Sequence, residues 1–309
     1  MAKLLISVLQ LGTIDYSPAL RLQEKLVALR KESRIGDVLL LLEHTPVITL
    51  GRNAKSENII ASAEHLAQRG VEVHECDRGG DVTFHGPGQL VAYPIFDVRG
   101  FPSDGPTRKT LGAIEYVRRL EEVLIRTCAD FGISAKRISG LTGVWTGEDA
   151  HRSTVSGVAT TANTNASRNL PGSTNAHVGT GVHARPAELK TQQRPAADSK
   201  IAALGVHISR GVTSHGIALN VNTDLSFFNL IIPCGIISKP VTSMQQQLDA
   251  AIPMQDAAHA LSRNFGVVFS SQILWLDSLD ALLGTILGVP MKAPENLRRI
   301  HSEDDPAWA

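Results

Sequence analysis

Apolar residues along the N-terminal third of the chain alternate between two spacings. "MAKLLISVLQLG" is a brief apolar stretch carrying Gln10, with no small-residue cleavage pattern, and predicts a first strand rather than a leader peptide. In "SPALRLQEKLVALRKES", Leu20, Leu22, Leu26 and Leu29 stand among charged residues, the spacing of an amphipathic helix opened by Ser17 and Pro18. "DVLLLLEH" and "PVITLGR" are apolar runs of strand length, the second ending at Gly51. "VEVHEC" and "LVAYPIFDV" are strand-like through their β-branched and aromatic residues. From Arg108 to Phe131, apolar residues at 111, 114, 117, 120, 124, 128 and 131 hold one helix face. Cys128 falls on that face, which makes it packing rather than chemistry. Farther on, "KIAALGVHIS" and "HGIALNVNTDL" predict strands and "MQDAAHALSRNFGVVF" a helix, with the apolar "FFNLIIPCG" between them. Strands and helices mix without a strict βα repeat, so the fold class is a mixed α/β or α+β sheet domain.

One region departs from this patterning. From Glu148 to Ser199 the chain is rich in Ser, Thr, Asn, Ala and Gly, has hardly a large apolar residue, and reads as a disordered insertion. It separates "GVW" from "KIAALG", two strand-like pieces that would form a hairpin without it. Loop closure costs only about 0.6 kcal/mol more per doubling of length, so a hairpin tip tolerates such an insert. The expected organisation is one catalytic domain over residues 1–284, interrupted at 148–199, with a C-terminal tail at 285–309.

Composition narrows the function classes. The chain has 309 residues, with 30 basic and 30 acidic side chains, a neutral balance that argues against a bulk electrostatic role on nucleic acid or an anionic membrane. No apolar run reaches the length of a membrane span. The three cysteines, Cys76, Cys128 and Cys234, form no CxxC pair and fit neither a disulfide framework nor a thiolate-rich zinc site. A reducing, cytoplasmic setting is the simplest expectation.

Candidate chemistry concentrates in three places. "RGGDVTFHGPGQL", from Arg78 to Leu90, packs four glycines around an arginine and a histidine, turn chemistry that lets main chain approach a ligand closely. Cys234 sits in "IIPCGI", where the chain leaves an apolar run between Pro233 and Gly235; it is either a nucleophile or a small buried hydrophobe. A reactive thiol needs a nearby positive charge or base. Lys200, opening "KIAALG", is one source, and His85 and His215, each followed by glycine, are rival bases. No HExxH or paired-Cys spacing supports a metal site.

In this order, "LGTIDYSPALRLQ", "HTPVITLGR", "RGGDVTFHGPGQLVAYPIFDV", "TGVW", "KIAALGVHISRGVTSHGIALNVNTDL" and "PCGI" resemble the lipoyl(octanoyl) transferases, which move an octanoyl group from acyl carrier protein onto a lysine of lipoyl domains. The resemblance spans roughly residues 10 to 245, apart from the insertion. It implies the biotin/lipoate protein ligase-like fold, a mixed sheet flanked by helices. Cys234 would be the acyl-thioester nucleophile and Lys200 the residue that lowers the thiol pKa and handles protons. The substrate pocket would take Arg78, Gly79, Gly80, Asp81, Val82, Thr83, Phe84 and His85 from the glycine loop. Ala203, Leu204 and Gly205 would add one turn of wall, and Gly216, Ile217 and Ala218 another. The implied partners are octanoyl-acyl carrier protein as donor and, as acceptors, the lipoyl domains of 2-oxoacid dehydrogenases and the glycine cleavage H protein. No cofactor and no metal are implied, because an amide is more stable than the thioester it replaces. Arg52, Arg78 and Lys239 are candidates for a basic rim facing acidic partners. Phe84 stands where the family usually has tyrosine, a change expected to keep wall packing and lose a hydroxyl. Two other readings remain open: an ATP-dependent lipoate or biotin ligase, and a catalytically silent protein that binds acyl carrier or lipoyl domains.

Overall fold

The computed structural model describes residues 4–106, 108–147, 198–233 and 239–284. Within them lie β1 (Leu4–Ile14), α1 (Tyr16–Lys31), β2 (Asp37–His44), β3 (Val47–Leu50), α2 (Ala63–Gln68), β4 (Glu72–Glu75), β5 (Val82–His85) and β6 (Gln89–Ile95). The chain continues through α3 (Ala113–Asp130), β7 (Ala135–Ile138), β8 (Leu141–Thr146), β9 (Ser199–Ser209), β10 (Val212–Asn220), α4 (Met244–Leu248), α5 (Met254–Val268), β11 (Ser271–Trp275) and α6 (Leu279–Gly284). An eight-stranded sheet has the order β11-β1-β2-β6-β10-β9-β8-β7, and a three-stranded sheet the order β4-β3-β5. Only β11, β1 and β2 are mutually parallel in the large sheet; the rest pair antiparallel. This is the mixed sheet flanked by helices that the family resemblance implies.

Both faces of the large sheet are covered, which explains the unbroken apolar run of β2. Leu39 and Leu41 enter a core shared with Tyr116, Leu120 and Leu124 of α3 and Leu261 and Phe265 of α5. Val38, Leu40 and Leu42 face the other way, against Ala19, Leu22, Leu26 and Leu29 of α1. A third cluster under the small sheet joins Ile48, Val82 and Phe84 to Phe228, Leu230 and Ile231. Cys128 lies fully inside the first core, and burial pushes its thiol pKa up to about 12.

Two sequence expectations need correction. The helix expected from Arg108 starts only at Ala113, because Gly112 is extended and Leu111 donates its N–H to the Phe101 carbonyl. The glycine-rich stretch is not all loop: Val82–His85 forms β5, paired antiparallel with β3. β8 and β9 are antiparallel neighbours, as hairpin partners are, and β9 opens at Ser199. The remainder of the expected insertion, 148–197, and the tail at 285–309 lie outside the described residues. β9 turns into β10 through Arg210 and Gly211, both at positive φ, the geometry of a two-residue hairpin.

Candidate active site

A cavity lies between the face of β6, β9 and β10 and the underside of β5 with its preceding loop. Its floor is nearly bare of side chains. Gly205 of β9 pairs with Gly216 of β10, and Ala203 pairs with Ala218, which is itself level with Val91 of β6. Cross-strand pairs share a face, so these small residues form a shallow trough along the sheet. Neither glycine can be replaced in place: a Cβ on Gly216 would sit 2.0 Å from the Ala92 carbonyl oxygen, and one on Gly205 would sit 2.7 Å from that of Gly79. The close approach at Gly205 lets the Gly79 N–H donate to the Val206 carbonyl at 3.1 Å, docking the glycine loop on the sheet edge of the cavity.

The opposite wall is polar. β5 alternates, sending Thr83 and His85 into the cavity and Val82 and Phe84 into the third core. Arg78 is buried, and its guanidinium donates to the Thr49 carbonyl at 2.6 Å, to the Thr49 hydroxyl and to the Gly79 carbonyl. Among the described residues no carboxylate forms an ion pair with it. Burial removes Arg78 from the proposed rim, whereas Arg52 is exposed. Asp81 accepts from the Val82 and Lys55 backbone N–H groups and from Asn58 Nδ2 at 2.6 Å.

Burial lowers the pKa of the imidazoles at and behind this wall. Burial first, then the nearby His44, lowers the His85 pKa to about 3, against a hydrogen bond to Gln89 that raises it. Its Nδ1–H donates to Gln89 Oε1 at 2.7 Å, which leaves Nε2 as an acceptor. Gln89 Nε2 donates to Asn220 Oδ1, and Asn220 Nδ2 donates to the Thr242 carbonyl. His44, behind the wall, has its pKa lowered to about 4 by burial; its Nδ1–H donates to the Ile14 carbonyl and its Nε2 accepts from the Tyr93 hydroxyl at 2.6 Å. His215 is held at a positive φ, its N–H donating to Gln23 Oε1 and its Nε2 donating to Asp77 Oδ1 at 2.6 Å. Burial lowers its pKa despite that carboxylate. His207 also hydrogen-bonds Asp77; desolvation opposes ionisation of this carboxyl, but the two histidine bonds together hold its pKa below the usual value.

Eleven of the residues that the sequence assigns to the pocket line this cavity: Arg78, Gly80, Asp81, Thr83 and His85 on one side, with Ala203, Leu204, Gly205, Gly216, Ile217 and Ala218 on the other. Gly79, Val82 and Phe84 do not line it. Gly79 docks the loop, and Phe84 stacks on Phe227 at 4.7 Å between ring centroids, away from the cavity. The expectation that Phe84 serves as wall packing is therefore corrected to core packing. Tyr16, Val91 and Tyr93 are wall residues that the sequence reading missed, and His215, weighed there only as a base, is a fourth. Val91 and Tyr93 share one face of β6, but a strand buried on both faces carries no alternation that would single them out. Tyr16 precedes the periodic part of α1 and carried no signal.

Lys200 lies at the mouth of β9, outside the cavity lining but buried. Its N–H donates to the Pro240 carbonyl at 2.8 Å, and its carbonyl accepts from Thr242 at 2.9 Å. Its ammonium lies 5.0 Å from the centre of the Trp145 ring. Cys234 lies outside the described residues, and so does its separation from Lys200. The chain leading to it is fastened by the Ile232 N–H donating to the Asn58 carbonyl at 2.7 Å, and Asn58 is in turn the partner of Asp81. The chain leaving it is fastened to Lys200 through Pro240.

Residues 15–266 match the lipoyl protein ligase A/B catalytic domain. A protein of Koribacter versatilis (strain Ellin345) named octanoyltransferase is 51% identical over 300 residues, covering 97% of this chain and 98% of that relative. An octanoyltransferase of Acidobacterium capsulatum is 48% identical, covering 91% of this chain and 96% of its own length. The chain belongs to the octanoyltransferase family. As a member of it, the protein is an acyltransferase of the kind that serves protein lipoylation. The fold is shared with an archaeal bipartite lipoate protein ligase from Thermoplasma acidophilum, solved in a study that includes its E2 lipoyl domain (TM-score 0.58, 13% identity, 98% of this chain and 96% of that one). Lipoate-protein ligase A bound with ATP is a further fold relative (TM-score 0.55, 14% identity, 93% and 92%). Among the described residues no helix is long and apolar enough to cross a membrane, and no group of three or more His, Cys, Asp or Glu is arranged to hold a metal ion.

Proposed function

We propose that this protein takes an octanoyl group from octanoyl-acyl carrier protein as a thioester on Cys234 and passes it to a lysine of lipoyl domains. The observation that carries the reading is the identity of 51%, over nearly the whole of both chains, with a relative named octanoyltransferase. Lys200 takes the Cys234 proton, and the thiolate sulfur bonds to the acyl carbon. The bond from that carbon to the carrier sulfur breaks, and the departing thiolate takes the proton from Lys200. The acceptor amine then attacks the same carbon, the bond to Cys234 breaks, and neutral Lys200 accepts the amine's proton. The ammonium and the thiolate are thereby restored, and no co-reactant is consumed.

Three features support these roles. Lys200 is bound through its backbone to the chain that follows Cys234, while the chain before Cys234 is bound through Asn58 to the glycine loop. The cavity provides a bare trough for the alkyl chain. Its polar wall offers the Arg78 guanidinium as a donor to the thioester end. We also take residues 1–284 as one catalytic domain, with the acceptors being lipoyl domains of the 2-oxoacid dehydrogenases and the glycine cleavage H protein.

Incubation with octanoyl-acyl carrier protein is expected to add one octanoyl mass to the protein, located at Cys234 by peptide mass spectrometry. A chase with apo lipoyl domain should remove it. An unmodified protein that instead lipoylates with free octanoate and ATP would overturn the proposal in favour of a ligase.

A further inference from the structure

The geometry points to Trp145 and Gly143 as positioning residues for the Lys200 ammonium. This inference rests on the proposed role of Lys200. Trp145 and Lys200 are direct cross-strand partners of β8 and β9, and the register slips beside them: Val144 pairs with Ala202 and Trp145 with Lys200, leaving Ile201 as an extra residue on β9. Such a bulge turns a side chain away from the direction that plain alternation would give it. Here it lays the lysine over the indole. The ring is 1% exposed, and the ammonium stands 5.0 Å from its centre, within the range in which an aromatic face attracts a cation.

Gly143 supplies the space. Its φ of +133° lies in a region that side-chain-bearing residues avoid, and a Cβ there would come 2.8 Å from Lys200 Cε and 3.5 Å from Nζ. The Gly143 backbone is in turn held from α3, its N–H donating to Glu121 Oε1 at 3.3 Å. Glu121 is fully buried and fixed by Arg118 and Arg137. The lysine backbone is fixed on its other side by Pro240 and Thr242, so the side chain has little latitude to follow a displaced neighbour.

The same ring has a second cation. Lys239 places its ammonium 5.6 Å from the Trp145 centroid and pairs with Asp198 at 3.1 Å. Asp198 also pairs with Lys136 at 3.0 Å. Thus Lys200, the second residue of β9, and Lys239, which follows the Cys234 segment, are referred to one buried indole. A ring that registers both would set where Lys200 stands relative to the nucleophile, and that affects turnover rather than substrate binding.

Trp145→Phe and Trp145→Leu test this, because both leave a comparable void while only Phe keeps an aromatic face. The expected result is a similar fall in melting temperature for the two, but a kcat about tenfold lower for Leu than for Phe, with KM for octanoyl-acyl carrier protein unchanged in both. Equal kcat values would overturn the inference. Should the Leu variant not fold, Gly143→Ala is read in the same way: kcat down about tenfold or more with KM unchanged supports the assignment, and wild-type kcat in a folded Gly143→Ala protein overturns it. Lys200→Ala and Cys234→Ala run alongside. If they abolish transfer while the Trp145 and Gly143 variants behave as wild type, only the positioning role fails. If they transfer normally, the proposed function fails and takes the positioning role with it.

Discussion

Lys200 and Ala203 are near neighbours on β9, yet their surroundings are built by opposite means. Around Ala203 the chain subtracts: Gly205, Gly216 and Ala218 leave a floor with almost no side chains, and main chain from β6 and the glycine loop closes in directly behind it. Around Lys200 the chain adds, enclosing one long cationic side chain between an indole, a bulge and backbone hydrogen bonds. The difference teaches where each end is vulnerable. The trough fails when an atom is added, because the atoms behind it are backbone that cannot step aside. The lysine end fails when a supporting surface is removed, because the bulge and the indole set where the side chain lies.

The sharpest way to break this contrast is to add a single methyl group to the trough. In Gly216→Ala the new carbon would meet the Ala92 carbonyl oxygen at 2.0 Å and Pro94 Cδ at 2.7 Å, so β6 and β10 must separate. Overpacking of this kind typically costs about 3 kcal/mol when backbone has to move. A fall in melting temperature of roughly 10 °C or more, with loss of octanoyl transfer, is expected. Gly36→Ala, where nothing lies within 4 Å, serves as the control and should melt like the wild type. A Gly216→Ala protein with unchanged melting and activity would mean that the trough is not closed by backbone.

A smaller effect separates the ends by pH. His44 and His85 sit neutral at the cavity, with folded pKa values near 4 and 3 against an ordinary value of 6.5. As pH falls below 6.5 the unfolded chain takes up two protons that the folded one refuses. The stability they support is therefore complete above pH 6.5 and is lost progressively down to about pH 4 and then pH 3. Two such groups give a slope of about 2 to 3 kcal/mol per pH unit near pH 5. Urea unfolding at pH 7, 5.5 and 4.5 reads it, and His85→Gln should roughly halve the slope. Carboxylates that ionise more readily in the fold, such as Asp77 and Asp198, act mainly below this window. Constant stability from pH 7 to 4.5 would contradict the burial of these imidazoles.

How much of this could be read from the sequence follows from where the signals are local. α1, α5, β2 and β6 were legible because each carries its own period or an unbroken apolar run. β5 was not, since four residues between glycines give too short a pattern to outweigh the turn signal. Arg78 and His85 were legible as chemistry because they stand in a glycine-rich stretch, whereas the paired small residues of β9 and β10 came only from the family resemblance. Tyr16 and Tyr93 reach the cavity only through packing of α1 and β6 against other strands, and no local pattern reports that. The pairing of Trp145 with Lys200 was hidden for a further reason. It depends on a register slip between strands separated in sequence by the whole region from 148 to 197, whose length says nothing about how the strands meet.

The mildest test concerns Phe84, where the chain departs from the tyrosine usual in its family. On sequence alone the missing hydroxyl belongs to the substrate wall; in the fold the ring faces Phe227 and Phe228, with Val82 beside it in the same cluster. β5 sends alternate residues to opposite sides, so Thr83 and His85 line the cavity and Phe84 does not. Phe84→Tyr should then lower stability by about 1 kcal/mol, the price of a hydroxyl placed among apolar rings, and leave kcat/KM for octanoyl transfer within about twofold. A clear change in kcat/KM or in acyl-chain preference would move Phe84 back to the substrate. It would also place the boundary between trough and core one residue away from where the alternation of β5 now draws it.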